Sequence, residues 1–389
     1  MIKSVQIKNF KSVVDLSLDL GTFNVLIGEN GCGKSNILEA IAFGGAASAD
    51  KLDFEFFGSR GIRATNPEFM FSAFSNGKKQ KSIVISGELS NKEIFYYELV
   101  VDPSNPKKWL DKLRHNLFEA VAKQLGAIYN KELNVISKPP KDFVSDFEKF
   151  LAKEFGNTFP ISLDKMILNN LELSNYIIYS PEQSSLRKFE DTTQIYPLGI
   201  KGEGLFQYLK EVLSNPKNKK LITEIKENLA LLDWYEDFDL PENLMSNEYA
   251  LKIKDRYLYT NLQYFDQRST NEGFLYLLFY TTLFISKDTP AFFAIDNIDT
   301  SFNPKLCMEL IRNLAVLAKK HKKQVIVTTH NPAILDGLNL KDDQQRLFVV
   351  RRNDEGHTKA TRVEYKAERN MKLSEVWTNG YIGGLPENF

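Results

Sequence analysis

A chain of 389 residues is long enough for two or three domains and a sizeable core. Its 43% hydrophobic content, with 28 Phe and 16 Tyr, excludes a disordered composition. Its 50 basic and 50 acidic side chains cancel, so no global field demands a nucleic-acid or acidic-lipid partner; the cysteines, Cys32 and Cys307, are too few for a disulfide framework or a tetrahedral zinc site.

Val5, Ile7, Val14, Leu16, Leu18 and Leu20 alternate with polar residues and predict a hairpin of half-buried strands before an apolar strand at 23–27. A glycine loop at 28–35 and a helix at 36–43 follow, with Ile37, Leu38 and Ile41 on one face. Short β runs at 82–89 and 94–101 predict an antiparallel meander. Between 103 and 173, Lys, Glu and Leu predominate; helical stretches at 110–125 and 143–155 around a break at Pro139 predict a helical insertion. A strand at 176–179, a mostly helical stretch at 205–232 and a hairpin at 249–259 come next.

The run 274–285 is nearly apolar, yet shorter than the ~20 residues of a membrane-spanning helix. The N-terminus lacks a basic start followed by an apolar core, so the expectation is a soluble, cytoplasmic protein with no membrane partner. Apolar 291–295, a helix opened by Pro304 with Leu306, Leu310, Leu314 and Leu317 on one face, and a strand at 324–329 predict a parallel strand-helix-strand unit.

Three segments carry chemistry. Gly28-Glu29-Asn30-Gly31-Cys32-Gly33-Lys34-Ser35 fits a phosphate-binding loop set between strand and helix. Its glycines let backbone N–H groups of Asn30, Gly31 and Gly33 turn toward phosphate oxygens. Lys34 supplies charge at the β and γ phosphates, Ser35 a hydroxyl to Mg²⁺, and the helix N-terminus its dipole. This loop alone does not choose among kinases, GTPases and ATPases. The apolar strand ending in Asp296 narrows the choice, since it places a carboxylate at the hydration shell of Mg²⁺. The next strand ends in Thr328-Thr329-His330, where the imidazole would meet the γ-phosphate or the attacking water; a helix-capping His is the structural alternative.

Together with Ile7-Lys8-Asn9-Phe10-Lys11-Ser12 at the N-terminus, these motifs resemble SMC/RecF-like ATPases of the ABC type, in the AAA-type branch that includes overcoming-lysogenisation-defect (OLD)-like proteins. The resemblance implies an α/β head with an antiparallel β lobe and a parallel core, split as 1–102 and 176–389 (including a helical segment at 205–245) around a helical insertion at 103–175. It implies ATP and Mg²⁺ as cofactors and a homodimer that sandwiches ATP. Ser269-Thr270-Asn271-Glu272-Gly273 resembles the signature loop that caps the partner's nucleotide through Ser269 and Gly273, although it lacks the two adjacent glycines of the transporter form. Residues 299–304 resemble the loop that crosses the dimer seam. Gln183 matches a Mg²⁺ or water contact, with an exposed loop glutamine as the plain alternative.

The tail around Trp377 and residues 380–384 resembles that of defence-associated ATPases, implying either a docking segment or a packed terminus. OLD proteins proper add a Toprim nuclease; no acidic cluster in an αβ pattern follows His330, so a nuclease or toxin effector is expected on another chain, encoded nearby. DNA is the alternative partner, with the run 319–323 as the best basic stretch. Where the family usually has a Glu after the Mg²⁺ Asp, this chain has Asn297. An amide positions water but does not accept its proton. Either hydrolysis is slow, or Asp299 or another group substitutes. Asn297, Asp299 and His330 are therefore the candidate catalytic residues.

Overall fold

The computed structural model describes residues 1–74, 81–116, 171–188, 195–239, 251–259, 264–367 and 371–385. Strands β1 (Ile2–Phe10), β2 (Val13–Asp19), β4 (Ile83–Leu89), β5 (Ile94–Asp102) and β6 (Asn105–Asp111) form an antiparallel sheet in the order β2-β1-β4-β5-β6. Leu16, Leu18 and Leu20 alternate inward as their spacing predicts. The second sheet has the order β13-β12-β3-β11-β10-β7, from β3 (Phe23–Ile27), β7 (Ile178–Tyr179), β10 (Phe292–Ile295), β11 (Gln324–Thr328), β12 (Gln345–Arg352) and β13 (Thr358–Val363). All its pairs are parallel except β12 with β13. Strands β3, β10 and β11 are buried along their whole length, which explains their mostly apolar runs; the buried Asn24 inside β3 is satisfied by the Gly21 and Val325 carbonyls.

Helix α1 (Lys34–Ser48) lies between the two sheets and is buried on nearly every side. Gly44 and Gly45 permit this: a Cβ on Gly44 would sit 2.7 Å from Ile85 of β4, and one on Gly45 only 2.5 Å from the carbonyl oxygen of Leu173. Gly45→Val should therefore overpack the interior and destabilise the fold by about 1–3 kcal/mol. Gly58→Ala, in helix α2 (Phe54–Ser59) with open space around it, should leave stability unchanged or slightly raised. Urea unfolding midpoints compare the two; equal midpoints for wild type and Gly45→Val would contradict the packing.

The other face of the parallel sheet carries α5 (Leu205–Leu213), α6 (Lys219–Leu229), α7 (Glu272–Ile285) and α8 (Pro304–Lys320), after the short α3 (Leu171–Ser174) and α4 (Gln183–Leu186). Every residue of α7 from Phe274 onward is buried, so this apolar run is a core helix. No helix among the described residues is long and apolar enough to cross a membrane.

Two local expectations are corrected. The stretch at 249–259 is not a self-contained hairpin: β9 (Lys252–Asp255) pairs antiparallel with β8 (Tyr235–Asp239), and Ile253 bridges Phe265. Buried Ile253 needs these apolar neighbours, which adjacent residues do not supply. Leu110 is a strand residue rather than a helical one, because a turn closed by Asp102 on the N–H and hydroxyl of Ser104 adds β6 to the meander and buries Trp109. Helix starts only at 112, where Asp111 accepts from the N–H of Leu113. The expected helix at 143–155 and the rest of the one at 110–125 lie outside the described residues.

Candidate functional site

The glycine loop connects β3 to α1 at the C-terminal edge of the parallel strands, where α/β sheets open a crevice. Gly28, Gly31 and Gly33 all have positive φ, at 150°, 78° and 107°. A Cβ would lie 2.1 Å from the Val350 carbonyl oxygen at Gly28 and 2.1 Å from Thr358 Oγ1 at Gly33, whereas at Gly31 it would meet open space. Packing thus demands the outer glycines, and Asn30 and Gly31 form an exposed crest. The loop is pinned from outside. Thr358 donates to the Cys32 carbonyl at 2.8 Å, and Arg352 Nε to the Gly31 carbonyl at 2.9 Å. Ser12, in the N-terminal motif, bonds Thr358 at 2.7 Å and accepts from Asn36 at 2.7 Å.

Lys34 is buried and donates to the carbonyls of Gly28 (2.8 Å) and Glu29 (3.0 Å), which draws its ammonium across the loop. Burial lowers its pKa below the usual lysine value, against the attraction of Asp296. Ser35 donates to one oxygen of Asp296 at 3.0 Å, and Thr328 donates to the other. Thr328 also accepts from the backbone N–H of Asn297 at 2.9 Å. Asn297 is exposed, in the left-handed region at φ 57°. Thr329 donates to Asp299 at 2.6 Å. His330 is exposed at its edge; what burial it has, and then the Lys34 charge, push its pKa below the usual histidine value, which favours the neutral imidazole.

A hydroxyl and a carboxylate 3.0 Å apart offer the hard oxygen donors that suit Mg²⁺, and the glycine cradle with Lys34 suits a triphosphate, so these residues fit Mg·ATP. In that role Ser35 and Asp296 would hold the cation, which neutralises charge on the phosphoryl oxygens. The loop N–H groups and Lys34 would hold the phosphates, and His330 would reach the terminal one.

The structure brings Lys34, Ser35, Asp296, Asp299 and His330 together at one strand edge. Gln183 opens α4 just beyond β7, the parallel neighbour of β10. Ser269 and Gly273 have other neighbours: the N–H and hydroxyl of Ser269 donate to Asp266, and Gly273 faces Ser301 and Phe302 of the 299–304 loop. The two segments matched to the dimer seam are thus adjacent to each other. Thr328, Thr329, Ser12 and Thr358 had no assigned roles in the sequence. Thr328 and Thr329 were detectable as polar side chains closing the apolar run 325–327; the contact of Thr358 with the loop left no local signal.

Residues 1–335 match the model of a family described as an AAA ATPase domain. Across 93% of this chain and 98% of the other, the fold is similar to the crystal structure of the SmcHead bound to the C-winged helix domain of ScpA, with TM-score 0.53 and 16% identity. The SMC head domain from Thermotoga maritima gives TM-score 0.48 at 14% identity over 94% and 99% of the two chains. A stretch of 53 residues is 49% identical to the chromosome partition protein Smc of Methanocaldococcus jannaschii, which is 13% of this chain and 4% of that relative's length. At 16% identity the SmcHead likeness shows the fold alone, an α/β head of the SMC type.

Proposed function

Because this chain belongs to the AAA ATPase domain family, we propose that it is an ATP-binding, slowly hydrolysing switch subunit that dimerises across two nucleotides. In this reading it controls an effector, a nuclease or toxin encoded by a neighbouring gene, in bacterial anti-phage defence. Asn297 carries the proposal: a side chain that cannot accept a proton stands next to Asp296, at the head of the loop that would face a second subunit. A closed dimer that persists without rapid turnover suits a subunit that holds its partner until a trigger arrives.

Support for the dimer comes from the exposed Ser269 and the adjoining 299–304 loop, joined by the bond from Ser301 to Glu272 at 2.7 Å. The Asn271 side chain caps α7 by accepting from the N–H of Phe274 at 2.8 Å; in this reading the remaining N–H groups of that turn would meet a γ-phosphate from another copy. Ser269→Arg, which puts bulk and charge into this seam, should abolish ATP-dependent association. Light scattering with Mg·ATP checks this, and equal association of variant and wild type would remove the signature assignment.

A RecF/SMC-like DNA-binding repair ATPase is the second reading, favoured by the likeness to SMC heads. Co-purification with the product of the neighbouring gene, with and without ATP, separates the two. Nucleotide-dependent capture of that product supports the switch; ATP-dependent retention on duplex DNA, with no such capture, supports the repair ATPase.

A further inference from the structure

The C-terminal segment lies beyond the matched 1–335 region and reaches back to the phosphate-binding loop. Helix α9 (Leu373–Thr378) follows Lys372, whose N–H donates to Glu375. It is clamped to the 3-10 turn Pro332–Gly337, two residues after His330: Ser374 donates to both oxygens of Asp336, from its N–H at 3.0 Å and its hydroxyl at 2.7 Å. Bonds from Tyr381 N–H to the Val376 carbonyl and from Gly380 N–H to the Trp377 carbonyl then close α9. The chain turns through Gly380, Gly383 and Gly384, all at positive φ. At Gly384 a Cβ would stand 2.5 Å from Val349, 3.5 Å from the α-carbon of Gly28 and 3.7 Å from Trp377 Nε1. Trp377 is buried, and its indole N–H has no partner among the described residues.

Gly28 is confined on two sides, by the Val350 carbonyl and by Gly384. Its carbonyl also accepts from Lys34 Nζ, and His330 lies beside it. The tail thus passes close to the first glycine of the loop, with no room to spare for a side chain at Gly384, and through Ser374 and Asp336 grips the turn that follows His330. We infer that residues 373–385 are a positioning element of the nucleotide site, setting Gly28 and His330 relative to one another. This rests on the ATP reading above.

Gly384→Val adds a branched side chain at φ 73°, where its Cβ would overlap Val349 of β12, the strand beside β3, and crowd Gly28, so the tail or this side of the loop must shift. Ser374→Ala releases one of the two bonds to Asp336, and Ser374→Thr keeps the hydroxyl. Tyr381→Ala, at an exposed position (71%), is the control. Affinity for a fluorescent ATP analogue and turnover at saturating ATP are measured on folded protein, well below each variant's melting transition without nucleotide. Misplacing reacting groups by about 1 Å costs up to about a hundredfold, so Gly384→Val should lose at least roughly tenfold in affinity or turnover. Ser374→Ala should lose less, Ser374→Thr should recover wild-type behaviour, and Tyr381→Ala should match wild type. A purely structural tail would lower the melting temperature while folded variants kept wild-type affinity and turnover, and that result overturns the inference. If Gly384→Val does not fold, the Ser374 pair decides. A wild-type chain that binds no ATP sinks the underlying reading instead.

Discussion

Lys34→Ala is expected to lower ATP affinity by roughly a hundredfold or more, since a hydrogen bond to a charged group is worth about 1.5–3 kcal/mol and this ammonium serves more than one phosphate. The effect is large because Lys34 is buried and aimed by two loop carbonyls, so little order remains to be gained on binding. The variant also leaves the Gly28 and Glu29 carbonyls without their cation. Fold damage is separable, because the loop stays pinned by Thr358 and Arg352. Calorimetric titration with Mg·ATP checks the expectation. Unchanged affinity in a variant with a wild-type melting transition would remove the phosphate-loop assignment.

Asn297→Glu should raise single-turnover hydrolysis by about 10²- to 10⁴-fold, the usual contribution of a positioned general base. ATP affinity should barely change, as Lys34, Ser35 and Asp296 remain in place. The backbone favours this outcome: the N–H of residue 297 is fixed on Thr328, the hydroxyl that also binds Asp296, so a new carboxylate would sit beside the cation-binding edge. The positive φ at 297 is a mild cost, because Asn tolerates that region better than Glu. Asp299 is the competing base, held by Thr329. If wild type hydrolyses briskly and Asp299→Asn stops it, Asp299 is the base. If neither Asn297→Glu nor Asp299→Asn alters the rate, position 297 does not limit turnover and the slow-switch reading loses its main support.

What could be read from the sequence alone was whatever local chemistry dictates. The glycine loop between β3 and α1 follows from its spacing, because φ > 0 glycines, a lysine and a hydroxyl at the start of a helix form one contiguous unit. The buried strands before Asp296 and His330 follow from unbroken apolar runs, and the β1–β2 hairpin from strict alternation. Where pairing crosses distance, local pattern failed. Leu110 carried a helical composition, yet the turn after Asp102 drew it into β6; Lys252–Asp255 looked self-pairing, yet it needed β8. Only the tertiary structure set Thr358 against Cys32, joined Asp296 to both Ser35 and Thr328, and brought Gly384 near Gly28. Each of these contacts joins residues distant along the chain, through a hydroxyl, a carboxylate or a missing Cβ. No periodicity encodes such a meeting, because it exists only once β3, β10, β11 and β12 lie side by side.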